Sequence, residues 1–195
     1  MKKLYHSLRL VLTLPIIACI LAALLAVVNG ITHDAIAAAV QAKTDNAIAQ
    51  VLPSGGTKFY EPYFVDSTGL VKTVYAPGEG EKGDSETGEY AVEVTPSGFG
   101  GQITMMVGVD KSGKVLGISL ISHTETAGLG AVAAADTENG KAFREQFVGL
   151  SGALTVGAGG QVDALTGATI TSQAITDGVN AAVKCVMGIR ARLDS

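Results

Sequence analysis

The chain has 195 residues, 47% of them hydrophobic and 16% charged, with 25 glycines, two cysteines and no tryptophan. That composition excludes a disordered polar tail and a large multidomain enzyme, and it suits one modest domain plus a membrane element. A formal charge of −4 without a basic cluster excludes nucleic acid as a partner, and Cys19 and Cys185 alone cannot build a disulfide scaffold, an iron–sulfur cluster or a four-ligand zinc site.

Lys2, Lys3 and Arg9 stand without an acid in the first nine residues, leaving 11 basic against 18 acidic side chains in the rest. Residues 10–32 form a run of 23 positions with no charge. About 20 residues at about 1.5 Å each cross the hydrocarbon layer, so the run is long enough to span a membrane. Flanking cations stay cytoplasmic, which makes 1–9 the cytoplasmic end and places the following ~160 residues on the outer side. A cleaved signal peptide has an apolar stretch of about 7–15 residues and a small-x-small cut site. This run is longer, and Val28-Asn29-Gly30-Ile31 offers no clean cut. Ile16-Ile17-Ala18-Cys19 resembles a lipoprotein processing site, yet the sequence stays apolar to Val28, so a retained transmembrane helix is expected.

Residues 33–52 continue an Ala-rich stretch free of Pro and Gly, expected as a stalk helix that Pro53-Ser54-Gly55-Gly56 stops. Residues 57–63 and 70–75, joined through Asp66-Ser67-Thr68-Gly69, read as a hairpin. Residues 77–88 (PGEGEKGDSETG) read as a solvated loop without chemistry. Tyr90, Val92 and Val94 then alternate with polar or small positions, as do Ile103, Met105, Val107 and Val109, and Leu116, Ile118 and Leu120. This period of two, with Asp110-Lys111-Ser112-Gly113 as a turn, predicts adjacent antiparallel strands that each bury one face. Residues 141–147 read as a short helix between Gly140 and Gly149. Ile175, Val179, Ala182, Val186 and Ile189 fall at spacings of 4, 3, 4 and 3, one apolar stripe of a long terminal helix. Gly178 within it costs about 1 kcal/mol relative to Ala, which points to close packing there. The outer domain, 53–195, is therefore expected to be α+β, an antiparallel sheet covered by helices.

Neither a hydrolytic constellation nor a metal-ligand cluster is visible, and the histidines (His6, His33, His123) are scattered. Gly128-Leu129-Gly130-Ala131-Val132-Ala133 matches the dinucleotide fingerprint G-x-G-x-x-A, but without the βαβ context that gives it meaning. The informative stretch is residues 163–172, DALTGATITS, just before the long helix. Gly167 and Ala168 let a bulky group approach the backbone, and hydroxyls cluster where a helix start leaves unpaired N–H groups. Such an end attracts a phosphate, although Thr and Ser are also ordinary helix caps.

The run TGATITSQA from Thr166, with Asp163 three residues ahead, resembles the flavinylation motif D-x-x-[ST]-G-A-[ST] of the FMN-binding domain family. SHTETAGLG, residues 122–130, resembles that family's H-x-E-T-P-G-L-G loop, with Ala127 in place of the proline. Gly98-Phe99-Gly100-Gly101 before a strand and FREQFVG (143–149) fit the same pattern, so the likeness covers nearly the whole chain. The resemblance implies an FMN joined covalently through its phosphate to Thr169 by a flavin transferase. It places Asp163, Thr166, Gly167, Ala168 and Thr171 about the attachment, and His123, Glu125, Thr126 and Leu129 about the flavin. For His123 and Glu125, direct flavin contact and a loop-holding hydrogen bond both remain open. A phosphoester would keep a cofactor made inside the cell from being lost by dilution outside it. The resemblance further implies an electron carrier with no catalytic residue of its own, in an Rnf-type complex coupling ferredoxin:NAD electron transfer to ion movement. Its partners would be the other membrane and peripheral subunits. A similar subunit of the sodium-pumping NADH:quinone reductase, and a flavin-free anchored interaction domain in which Thr169 only caps its helix, are the alternatives.

Overall fold

The computed structural model describes residues 2–52, 58–60, 68–77 and 88–193. The expected stop at Pro53-Ser54-Gly55-Gly56, positions 57 and 61–63 of the first hairpin strand, Asp66 and Ser67 of its link, and most of the loop at 77–88 lie outside the described residues. By contacts the chain divides into two compact units, Met1–Ala42 and Lys43–Ser195.

Helix α1 (Lys2–Val51) contains Pro15, and its stretch Pro15–Val51 is long and apolar enough to cross a membrane, with a mean hydropathy of 2.3. Leu21, Leu24, Leu25 and Ile31 all point outward from the first unit. Water would oppose that exposure, at about 25 cal/mol for each Å² of apolar surface, and lipid would not.

In the second unit, β1 (Lys58–Tyr60), β2 (Val71–Ala76), β3 (Glu89–Val94), β4 (Thr104–Asp110) and β5 (Val115–Ser122) form one antiparallel sheet in the order of the sequence. Phe59 pairs with Tyr75, Val92 with Val107 and Val107 with Ile118, as the alternating pattern expects. The β4–β5 turn is held by Asp110, whose Oδ1 accepts from Ser112 N (2.8 Å), Ser112 Oγ (2.6 Å) and Lys114 N (2.9 Å). Gly113 there has φ +82°, a conformation that a side chain would strain.

Helix α3 (Thr169–Leu193) lays its predicted stripe on one face of the sheet. Ile175, Val179, Ala182 and Val186 are buried with Val92, Val94, Met105 and Val107, and Ile189 packs at the edge of the same core. Gly178 is needed there, because a Cβ would press on Met105, Pro96 and Val94. Phe143 and Phe147 close the core edge to face, with ring centroids 5.5 Å apart.

The opposite face is also covered, which the alternation does not suggest. Ala47, Ile48, Val51 and Leu52, at the end of α1, are buried against Ala91 and Met106. Small residues make room: a Cβ on Gly108 would run into the backbone of Val51. Residues expected as a stalk thus belong in part to the sheet unit, which begins at Lys43.

The helix expected over 141–147 is α2, Glu138–Glu145. Its start lies upstream because Thr137 caps it, accepting from Gly140 N at 3.2 Å, with Glu138 in the first turn. Gly140, read as a boundary, is inside the helix, where a Cβ would strike the carbonyls of Val132 and Ala135. The short 3-10 turn Gly130–Ala134 has no sequence expectation behind it.

Candidate functional site

The start of α3 is shaped by a tight turn. Ala168 N donates to Leu165 O (2.9 Å), and Gly167 takes φ +73°, the left-handed conformation that glycine supplies without strain. Thr169 is the first helical residue, and Ser172 N is the first to reach back four residues, to Ala168 O (2.9 Å). The N–H groups of Thr169, Ile170 and Thr171 therefore lack intrahelical acceptors and carry the positive end of a 25-residue helix.

The hydroxyls expected to cluster here divide into two sets. Ser172 Oγ accepts from Leu165 N (3.0 Å) and donates to Ala168 O (3.0 Å), while Thr176 Oγ1 donates to Ser172 O (2.9 Å). These two and Thr171 are buried and satisfied. Thr166 and Thr169 are exposed, and their hydroxyls make no hydrogen bond with the described residues. Thr169 does not act as a cap: it begins the helix instead of preceding it, and the turn is held by Ser172.

Glu125 joins three segments. Its Oε1 accepts from Gly100 N (2.9 Å) and its Oε2 from Thr171 Oγ1 (2.5 Å), with the residue almost wholly buried. Thr124 Oγ1 adds a bond to Gly100 O (2.9 Å). A buried carboxylate is tolerable when donors surround it, and here the backbone must come close to supply them. That accounts for the glycines nearby. A Cβ on Gly98 or Gly130 would collide with the Glu125 carboxylate, and one on Gly100 with the backbone of Thr124. Of the two dinucleotide-like glycines, Gly130 thus serves a carboxylate clamp in an antiparallel fold, while Gly128 takes φ +77° in open space.

A cavity of about 350 Å³ opens at this junction, lined by Phe99, Glu125, Thr126, Leu129, Gly130 and residues 167–171. Phe99 (70% exposed), Ile170 (56%) and Leu129 (45%) give it an apolar rim. Of the expected site residues, Glu125, Thr126, Leu129, Gly167, Ala168, Thr169 and Thr171 meet in it. Asp163 and Thr166 instead line a neighbouring cavity of about 550 Å³, with Leu129 as the shared wall. His123 lines neither, and its Nδ1 accepts from Glu125 N (3.3 Å). For these two residues the geometry gives loop-holding bonds, with Glu125 also facing the cavity. Ile170 joins the site without a sequence expectation behind it, while Phe99 and Gly130 lie in the two segments, 98–101 and 122–130, that carried the family resemblance without being singled out. Among the described residues no group of His, Cys, Asp or Glu could hold a metal ion.

The donor set suits a phosphorylated aromatic ligand: a free hydroxyl and unpaired N–H groups at one end, an apolar rim beyond. Residues 98–184 match the model of the FMN-binding domain, and residues 1–51 match the RnfG N-terminal region. The chain is 38% identical to the G subunit of the proton-translocating ferredoxin:NAD(+) oxidoreductase complex of Clostridium ljungdahlii, over 77% of this chain and 76% of that one. It is 36% identical to the G subunit of the Na(+)-translocating ferredoxin:NAD(+) oxidoreductase complex of Acetobacterium woodii, over 53% and 51%. It is 32% identical to the G subunit of the ion-translocating oxidoreductase complex of Methanosarcina acetivorans, over 91% and 93%.

Proposed function

The chain belongs to the family of RnfG subunits of ion-translocating ferredoxin:NAD oxidoreductase complexes, and from that membership we propose that Thr169 carries FMN covalently as an electron relay. The family places the chain in an oxidoreductase complex, with an FMN-binding domain and other subunits as partners. The names of the relatives favour the ferredoxin:NAD complex over the quinone reductase.

The observation that carries the covalent reading is the exposed hydroxyl of Thr169 at the start of α3, on the wall of the apolar-rimmed cavity and without a hydrogen bond to the described residues. A hydroxyl engaged as a cap would have to be released before it could react, and this one is already free. The N–H groups of residues 169–171 orient a phosphate ester on Thr169, and the helix dipole favours its charge. Gly167 keeps the approach to that oxygen open. Leu129 and Ile170 cover apolar ligand surface beside it, and Glu125 holds the surrounding loops. Bound FMN supplies reversible gain and loss of electrons, and the protein places the ring. A flavin transferase is the partner that would form the ester during maturation.

Lys2, Lys3 and Arg9 support an orientation with the N-terminus in the cytoplasm and the sheet unit outside, reached through a single span over 10–32. The segments 33–52 and 53–195 are then the stalk and the FMN-binding domain, with the last turns of the stalk folded into that domain.

The chain, produced in cells that attach flavin, is expected to run as a fluorescent band on a denaturing gel. Thr169→Ala should abolish the fluorescence and Thr169→Ser should retain it. A fluorescent Thr169→Ala band refutes the assignment. A phosphatase reporter fused after Ser195 is expected to be active outside the cytoplasm; activity only inside would reverse the topology.

A further inference from the structure

We propose that Phe99 is the stacking platform for the flavin ring, and that Glu125 is the positioning residue that fixes this platform relative to Thr169. The assignment rests on the FMN reading above and names residues that act on the ring instead of on its phosphate.

Phe99 is the one aromatic among the described large apolar side chains that are strongly exposed; Phe143, Phe147 and Tyr90 are buried in the core. It lines the same cavity as Thr169. A ring left 70% exposed at a loop tip gains little from burial, and with the exposed Leu129 and Ile170 it forms one apolar patch around the cavity. The loop is nevertheless rigidly built. Ser97 bridges Gln102, Gly98 N donates to Gly101 O (2.8 Å), and Ile103 N donates to Pro96 O (2.8 Å).

The residue after Phe99 is tied to the attachment point. Gly100 N donates to one oxygen of Glu125, and Thr171, two residues beyond Thr169, donates to the other. One buried carboxylate therefore sets the separation between the aromatic tip and the start of α3. Gly98 and Gly130 leave the space that this carboxylate occupies. Such a clamp would be superfluous for a freely moving surface loop. It is what an aromatic group needs when it must lie parallel to a planar ligand tethered nearby, since aromatic pairs interact at centroid separations of about 4.5–7 Å and weaken quickly beyond. Leu129 and Ile170 supply the apolar sides of the slot, so one face of the ring rests on Phe99.

The test uses the full flavin-loaded chain in detergent, with intact mass verifying equal loading and thermal melting verifying the fold. Phe99→Trp is expected to lower flavin fluorescence at least about fivefold, because an indole held against the flavin as an aromatic pair quenches it efficiently by electron transfer, which falls off steeply with distance. Phe99→Ala is expected to raise quenching by iodide about threefold, as the covered face is opened to solvent. Adding Glu125→Ala to Phe99→Trp should restore at least half of the lost fluorescence, whereas Glu125→Gln, which keeps an acceptor for Gly100, should not. A native chain that carries no flavin refutes the FMN reading and this assignment together. A loaded chain whose Phe99→Trp and Phe99→Ala forms match the native spectra overturns the platform alone. Unchanged quenching on adding Glu125→Ala overturns the role of Glu125.

Discussion

Asp110 shows how much one half-buried side chain can organise. Partial burial acts to raise its carboxyl, but bonds from Ser112 and Lys114, together with the Lys114 charge, outweigh that and hold it below the ordinary carboxylate value. The sign follows: a depressed folded value contributes stability above the unfolded value of about 4, and that contribution fades as pH falls through the folded value. Asp110→Ala is expected to cost about 1 kcal/mol at neutral pH, discounted for exposure, with the deficit shrinking in acid; chemical denaturation at several pH values measures it. At this scale the sequence marked the turn residues and Thr169, because local motifs carry local geometry. It did not separate Thr169 from Thr171 and Ser172, since which hydroxyl is left free depends on Glu125, 46 positions from Thr171 in the chain. Asp163 and Thr166 share a motif with Thr169, yet the turn at Gly167 points them at the adjoining cavity.

Between elements, the decisive feature is the second covered face of the sheet. Period-two alternation identified β3, β4 and β5, but it assigned Ala91, Gly108 and Gly117 to solvent because small residues do not register as apolar. Gly108 is small so that the end of α1 can approach, and Ala91 is buried against that end. Gly108→Ala should therefore destabilise the fold by about 1–3 kcal/mol through overpacking against Val51, whereas an ordinary strand glycine would gain from the change. Equilibrium unfolding decides between the two. The same face holds an acidic group, Glu93, bonded to Lys72 Nζ at 2.8 Å. Burial, then the charge and hydrogen bond of Glu93, push the Tyr75 hydroxyl from 10.0 up to about 12. With a raised folded value, the stabilisation is complete below pH 10 and is lost as pH rises through about 12. Tyr75→Phe is expected to flatten that alkaline limb of the melting temperature, and an unchanged limb would contradict the placement of Tyr75 beside Glu93.

For the molecule as a whole, the boundary between anchor and domain lies inside a continuous helix. Charge and hydropathy give residues 10–32 as the expected span, but no feature of the Ala-rich stretch reveals that Ile48, Val51 and Leu52 become core. Each fully buried aliphatic side chain is worth about 1.5–3 kcal/mol, so removing all three costs about 5–9 kcal/mol. That approaches the total stability of about 5–15 kcal/mol for a domain. A chain beginning at Lys43 is accordingly expected to unfold cooperatively in solution. One beginning at Pro53 should show dispersed signals only when the missing segment is supplied as a peptide. Amide-proton spectra of the two fragments test this, and equal stability would contradict the role assigned to the end of α1.

The relay proposed for Thr169 requires FMN to be joined to the chain at that residue. Fragmentation mass spectrometry of the native protein's peptides locates that junction directly. The mass of FMN, less one water, is expected on Thr169 alone. The same mass on Thr166 or Thr171, or an unmodified Thr169 in chains that are visibly yellow, would contradict the covalent relay.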